Sequence, residues 1–227
     1  MFELFGIAHI SGIVMTMIWA VALNYTSYRY NRLNIYIEFF SGLLVLSFYP
    51  IFAYFRLQEV SFDVRYHLPL QISSVILFAL GIALLTKNRF AYAITMFWAL
   101  PGGIASILFP DITNTFPHID YIFFWTSHSV LIGYVVYLMR VRNIDLGYFD
   151  ALKALGLFIA YIVLVYPLNT SLGSNYGYLN SPPDSIRLPS FLENPSIYIP
   201  ILVIIMGTLS IIVLSLHKQL YSNSKLA

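Results

Sequence analysis

Two polar residues in apolar surroundings, Ser73 and His128, carry groups that could act as a nucleophile and a base. A hydroxyl becomes a useful nucleophile when a neighbouring base removes its proton, and histidine suits that role near neutral pH. His128 stands among Thr126, Ser127 and Ser129, in a stretch that is otherwise aromatic and aliphatic. We therefore predict that Ser73 and His128 form a catalytic pair, with the serine as nucleophile and the histidine as general base.

Three further polar residues, His9, Gln71 and Asn169, also lie within or at the end of apolar runs. A strongly polar side chain in hydrocarbon is costly and usually faces the interior of a helix bundle. Counted from the outer end of each predicted helix, all three lie at a depth similar to that of the catalytic pair. We predict that they line one substrate-binding pocket. The alternative is that they only hydrogen-bond neighbouring helices and hold the bundle together.

The composition indicates a protein that lies in a membrane. Of the 227 residues, 59% are hydrophobic and 10% are charged, and the mean hydropathy is +0.77. Soluble domains carry about a quarter charged residues, and a helix needs about 20 apolar residues to cross the bilayer. Runs of that length cover 5–24, 35–55, 68–86, 90–109, 121–139, 150–168 and 197–216. We predict an all-α, polytopic transmembrane helical bundle of about seven spans, formed by residues 1–227 as a single domain.

The loop charges predict the orientation of the bundle. Nine Lys and Arg residues fall in one set of loops: Arg29, Arg32, Lys87, Arg89, Arg140, Arg142, Lys153, Lys218 and Lys225. Only Arg56, Arg65 and Arg187 fall in the other set. Cationic loops stay cytoplasmic, so we predict an external N-terminus and a cytoplasmic C-terminus. The long loop 169–196 is then extracytoplasmic, and loops of that length are often lids.

Several classes of site and partner are not expected. The chain has no cysteine, which excludes disulfides and thiolate chemistry, and its net charge of +2 gives no nucleic-acid face. His67 and His118 have no carboxylate beside them at ligand spacing, so we predict neither a metal site nor a cofactor. We expect Glu38, close to the inner interface near Arg29 and Arg32, to be a snorkelling or ion-paired anchor; the alternative is a role in substrate or proton handling.

Several segments together resemble the YwaF-like family of bacterial integral membrane proteins, which is related to animal transmembrane phospholipid acyltransferases. The matching features are His9, the sequence Leu-Pro-Leu-Gln-Ile-Ser at 68–73, Gly102-Gly103 with Pro110, the sequence Phe-Phe-Trp-Thr-Ser-His at 123–128, and Asn169 followed by Gly-Ser-Asn-Tyr at 173–176 and Pro182-Pro183. The resemblance implies a helical protein of the bacterial plasma membrane, with membrane lipids or a small molecule as its ligand.

The resemblance also implies acyl transfer, because the animal relatives use a cysteine and a histidine. The bacterial pattern has His and Cys where this chain has Gln71 and Ser73, so another histidine must act as the base. On this hypothesis Asn169, Asn175 and Tyr176 donate hydrogen bonds to an oxyanion or a lipid headgroup. The alternatives are a small-molecule transporter or substrate-binding component without catalysis, and a structural membrane partner.

Overall fold

Seven α-helices form the part of the chain that the structure describes. The structure is a computed structural model that describes residues 1–142, 144–183, 189–192 and 194–226, with side chains up to residue 221. The helices are α1 (Ile7–Arg29), α2 (Asn34–Glu59), α3 (Ile72–Thr86), α4 (Arg89–Leu108), α5 (Ile119–Tyr137), α6 (Tyr148–Leu172) and α7 (Pro195–Leu226). Short 3-10 helices cover Asn31–Leu33, Tyr176–Tyr178 and Ser190–Leu192, and a π-helical turn, Leu138–Arg142, continues α5. The predicted all-α fold is confirmed.

Six of these helices are long and apolar enough to cross a membrane, and α3 is the shorter seventh. With 15 residues, α3 extends only about 22 Å. The predicted span started at residue 68, but the helix starts at Ile72. Pro69 disfavours helical geometry at the residue before it. The backbone groups of Leu68 and Leu70 instead hydrogen-bond to the side chains of Tyr176 and Tyr161.

Helix α4 lies at the centre of the bundle, packed against α3, α5, α6 and α7. Its side chains Tyr92, Phe97 and Trp98 are buried, and the Trp98 indole donates to the carbonyl of Ala154 in α6 at 3.1 Å. In α1 and α2 most apolar side chains are exposed. Such outward apolar faces are expected where helices contact lipid rather than protein.

Helices α1 and α5 are parallel neighbours in one register. The Tyr121 hydroxyl donates to the carbonyl of Ala8 at 2.8 Å, and the hydroxyls of Thr16 and Ser129 lie 2.7 Å apart. Both pairs are separated by 113 residues in the chain. The two helices therefore keep the same alignment over several turns.

The connections define two ends of the bundle. The basic end carries the end of α1, the turn between α3 and α4, and the π-helical turn after α5. The loop end carries residues 60–71, 109–118 and 173–183. A tight turn joins α3 to α4: Lys87 ends α3 with a φ of 59°, and the side chain of Asn88 accepts from the amide of Ala91 at the start of α4.

Two of the three arginines assigned to the outward-facing loops, Arg56 and Arg65, lie at the loop end. The third, Arg187, lies outside the described residues. Residues 184–188 and 193 of the predicted lid are likewise outside them. Because α6 continues to Leu172, the connection after it starts at Gly173, and Asn169 lies within the helix.

Candidate functional site

Ser73 is the second residue of α3, which begins inside the bundle. The hydroxyl of Tyr161 in α6 donates to the carbonyl of Leu70 at 2.6 Å, and this bond sets the depth of the helix start. Tyr161 lies about 20 Å along α6 from its first residue, Tyr148. The Ser73 side chain is partly exposed, and its hydroxyl makes no hydrogen bond with the described residues.

The first backbone amides of α3 surround the Ser73 side chain. The amides of Ile72, Ser73 and Ser74 have no acceptor among the described residues, as expected for the first turn of a helix. Gln71, the N-cap residue, makes no cap hydrogen bond. Its side-chain oxygen instead accepts from the amide of Gly177 at 3.0 Å. The free amides and the helix dipole suit a negative charge developing beside Ser73.

His128, in α5, has one ring nitrogen fixed and the other available. Nδ1 donates to the carbonyl of Phe124 at 2.8 Å, and the Ser127 hydroxyl lies 3.3 Å from the same nitrogen. The Phe124 ring stacks on the imidazole with 4.2 Å between centroids. Because Nδ1 carries the hydrogen, the neutral ring has its lone pair on Nε2. Nε2 makes no hydrogen bond with the described residues, as a general base requires.

The predicted catalytic residues lie on helices that pack together, α3 and α5, but they do not form a pair in this structure. Within the described ranges no hydrogen bond joins the Ser73 hydroxyl to His128. Catalytic hydrogen bonds are often absent before substrate binds and then tighten or form through a water molecule. In this structure, therefore, neither the Ser73 hydroxyl nor Nε2 of His128 has a hydrogen-bond partner among the described residues.

Asn169 does not point an unused amide into a pocket. Its Oδ1 accepts from the amide of Tyr176 at 2.9 Å and from the Ser174 hydroxyl at 2.8 Å, while its Nδ2 donates to the carbonyl of Tyr176 at 2.9 Å. The residue is fully buried. These three bonds fold the connection after α6 back onto the helix, so Asn169 positions that connection.

Tyr176 joins this connection to the segment before α3. Its hydroxyl donates to the carbonyl of Val64 at 2.7 Å and accepts from the amide of Leu68 at 2.8 Å. Burial is the main cause that raises the pKa of the Tyr176 phenol. Asn175 is also engaged, since its side chain bonds to Ser181. The polar atoms of Tyr176 and Asn175 therefore hold the loop end together.

The segment before α3 has its own polar cluster. The Arg65 guanidinium donates to both oxygens of the Asp63 carboxylate and holds the pKa of that carboxyl at about 2. The amide of Asp63 donates to Nδ1 of His67 at 2.9 Å. Non-helical backbone close to a membrane needs such partners for its polar groups.

His9 has no free ring nitrogen. Nδ1 accepts from the amide of Phe5 at 2.8 Å, and Nε2 donates to the carbonyl of Ile107 in α4 at 2.8 Å. The side chain is completely buried beside the ring of Trp125. His9 thus anchors the N-terminal segment to α4 and α5, which leaves His128 as the available base.

Glu38 forms the buried ion pair of the bundle with a partner that sequence reasoning missed. The guanidinium of Arg142 donates to both carboxylate oxygens, and the Tyr137 hydroxyl donates to Oε1 at 2.5 Å. The prediction of an ion-paired anchor at this end of the bundle is confirmed, but the partner is Arg142 and not the nearby Arg29 or Arg32. The sequence signal was that Arg142 follows span five at the same end of the bundle, but proximity along the chain favoured the two nearer arginines.

Within the described residues, no three His, Asp or Glu side chains come together in a way that could hold a metal ion. Comparison with known proteins gives one positive result. A model described as the TMEM164 family matches residues 4–216. The chain belongs to the TMEM164 family.

Neither a curated protein nor a solved structure matches the chain. The TMEM164 match includes every predicted site residue, from His9 to Tyr176. It supports the predicted membership of a transmembrane family, whereas the bacterial YwaF-like resemblance rests on the quoted motifs alone.

Proposed function

We propose that this member of the TMEM164 family is a lipid acyltransferase or acyl-ester hydrolase, with Ser73 as nucleophile and His128 as general base. The observation that carries the proposal is the state of His128, whose Nδ1 is held by the Phe124 carbonyl while Nε2 has no partner among the described residues. The Ser73 hydroxyl, on the adjacent helix α3, likewise makes no hydrogen bond with the described residues, and its helix starts with unpaired amides.

The chemistry proceeds in two steps with these groups. Nε2 of His128 takes the Ser73 proton as Oγ attacks the acyl carbonyl carbon of a lipid ester. The carbon–oxygen bond to the leaving alcohol then breaks, and the histidine returns the proton to that alcohol. A second alcohol, or water, attacks the acyl-serine in the same way, which gives transfer or hydrolysis respectively. The amides of Ser73 and Ser74 stabilise the oxyanion.

The residues first assigned to substrate binding have a different part in this proposal. Gln71 and Tyr176 use their polar atoms to join the 173–183 connection to the segment before α3. Asn169 holds the same connection to α6, and Asn175 bonds to Ser181 within it. Together the four residues position the start of α3, and with it Ser73, instead of binding the oxyanion. His9 likewise acts as an anchor.

We further propose that the loop end faces outward, so that the site takes lipid from the outer leaflet of a bacterial plasma membrane. Support for the orientation is the excess of Lys and Arg at the basic end. Support for the membrane is the resemblance to bacterial proteins.

A serine-directed fluorophosphonate probe tests the proposal on the purified protein in lipid nanodiscs, with intact-mass spectrometry as the measurement. We expect one covalent adduct on the wild type and none on Ser73→Ala. Ser74→Ala is the matched control and should label like the wild type, because Ser74 is buried beside the proposed nucleophile. His128→Gln should slow labelling by about 100-fold or more, the usual contribution of a general base.

An unlabelled wild type, or an adduct that persists on Ser73→Ala, would overturn the assignment of the nucleophile. Solute movement into vesicles carrying Ser73→Ala would instead favour the transporter alternative.

A further inference from the structure

A cavity of about 500 Å³ lies between α1 and α2 towards the basic end, away from Ser73 and His128. Sites for small molecules usually measure about 300–1,000 Å³. The cavity is open to the surroundings of the bundle and is mainly apolar. Its lining includes Trp19, Thr26, Tyr36, Phe40, Ser41 and Tyr134. Within a membrane, an opening of this kind faces the acyl chains of the lipids.

The part of α1 between Trp19 and Arg29 is about as long as one leaflet is thick. Trp19 lies ten residues before Arg29 in α1, a rise of about 15 Å. The hydrocarbon of one leaflet is about half of the roughly 30 Å core. An acyl chain lying along α1 from its last turn would therefore reach Trp19.

Two cationic residues adjoin the lining residues of this cavity in the chain. Arg29 ends α1 and Arg32 lies in the 3-10 helix that follows, next to the cavity residue Leu33. Both side chains are exposed, and neither forms an ion pair with the described residues. Glu38, the nearby carboxylate, is already neutralised by Arg142. Two uncompensated positive charges beside an apolar cavity suit a phosphate attached to an acyl chain.

Hydroxyl-bearing residues also line the cavity. Thr26 is three residues before Arg29, one helical turn away, and lines the cavity wall. Ser41 and Tyr134 line it from α2 and α5. The Thr26 hydroxyl, one turn from Arg29, is placed to donate to an ester carbonyl of a lipid.

We propose that this cavity is a binding site for an anionic phospholipid, with the phosphate on Arg29 and Arg32 and one acyl chain between α1 and α2. The lipid bridges two helices that otherwise contact each other little beyond their connecting turn, and so fills the wall of the bundle at the basic end. The site is independent of the proposed chemistry at Ser73.

Quenching of tryptophan fluorescence by brominated lipids tests which lipid occupies the cavity. Trp98 and Trp125 are buried, whereas Trp19 is 38% exposed and lines the cavity. The protein is reconstituted in vesicles in which either the phosphatidylglycerol or the phosphatidylcholine carries brominated acyl chains, which quench indole fluorescence on contact. The difference in quenching between the wild type and Trp19→Phe is the quenching of Trp19, and it measures lipid in the cavity.

We expect brominated phosphatidylglycerol to occupy the cavity at least fivefold more favourably than brominated phosphatidylcholine, since one cation near an anionic lipid adds roughly that factor. Arg29→Gln with Arg32→Gln should abolish the preference. Arg140→Gln, which removes an exposed arginine from another helix at the same end, should retain it.

Equal quenching by the two lipids in the wild type would overturn the proposal, as would a preference that survives the double substitution. Ala22→Phe tests the cavity itself, because a phenyl ring at this exposed lining residue fills it without burying a new polar group. If the preference persists in Ala22→Phe, the lipid is held at its headgroup alone and the acyl-chain site is wrong.

Discussion

The indole ring of Trp125 in α5 occupies the space that a side chain at Gly12 of α1 would need. A Cβ atom at position 12 would lie 2.2 Å from the Trp125 ring. The reverse contact occurs two turns further along, where a Cβ at Gly133 of α5 would lie 2.7 Å from the Trp19 ring of α1. Each helix thus has a glycine that contacts the tryptophan of the other, and the two contacts fix the axial register of the parallel helices.

Substitution of Gly12 by alanine should destabilise the protein, because the rigid indole has to move. Overpacking of this kind costs about 1–3 kcal/mol. We expect a lower thermal midpoint in detergent than for the wild type. Gly156→Ala in α6 is the control, since nothing lies within 4 Å of its Cβ position. A Gly12→Ala protein as stable as Gly156→Ala would show that α1 and α5 do not pack in this register.

Glu38 and Arg142 should behave as one unit in a double-mutant cycle. Breaking a buried ion pair costs about 3–5 kcal/mol because one charge is left without a partner. Glu38 is 2% exposed and the Arg142 side chain 28%, so we expect Glu38→Gln to fall at the lower end of that range, as the remaining guanidinium partly reaches solvent. Glu38→Gln combined with Arg142→Gln should cost less than the sum of the single changes, measured by unfolding in denaturing detergent. Additive costs would mean that the two side chains do not interact.

Asn169→Ala should loosen the connection after α6 without unfolding the helix. The change removes three hydrogen bonds, each contributing about 1 kcal/mol. We expect amide exchange at residues 174–178 to accelerate by about tenfold to a hundredfold. Thr170→Ala is the control, because the exposed Thr170 hydroxyl bonds only to the preceding turn. Unchanged exchange in Asn169→Ala would contradict the anchoring role of the asparagine.

Because the chain contains no cysteine, each introduced thiol is unique and reports the orientation of the bundle. Ser61→Cys at the loop end and Asn31→Cys at the basic end are both exposed positions. We expect a membrane-impermeant maleimide to label Ser61→Cys in intact cells and Asn31→Cys only after permeabilisation. The opposite pattern would invert the predicted orientation and move the proposed acyl-transfer site to the inner leaflet.

The sequence predicted the number, order and approximate ends of the helices because long apolar runs depend on local composition alone. It missed the late start of α3, where an apolar segment uses its backbone polar groups on Tyr161 and Tyr176 instead of continuing the helix. The sequence did not predict which distant side chains pair in the folded protein, such as Glu38 and Arg142, which are 104 residues apart. Candidate site residues were chosen for polarity, but polarity does not tell a free imidazole such as His128 from a fully bonded one such as His9.

The register of α1 against α5 also has a consequence for biogenesis. During synthesis α1 enters the membrane four helices before its partner α5. Until α5 follows, the Thr16 hydroxyl and the Asn24 amide can bond only to carbonyls of their own helix, those of Gly12 and Ala20, and not to Ser129 and the Gly133 carbonyl. The polar contacts that hold Thr16 and Asn24 to the bundle therefore form only after the fifth helix has been inserted.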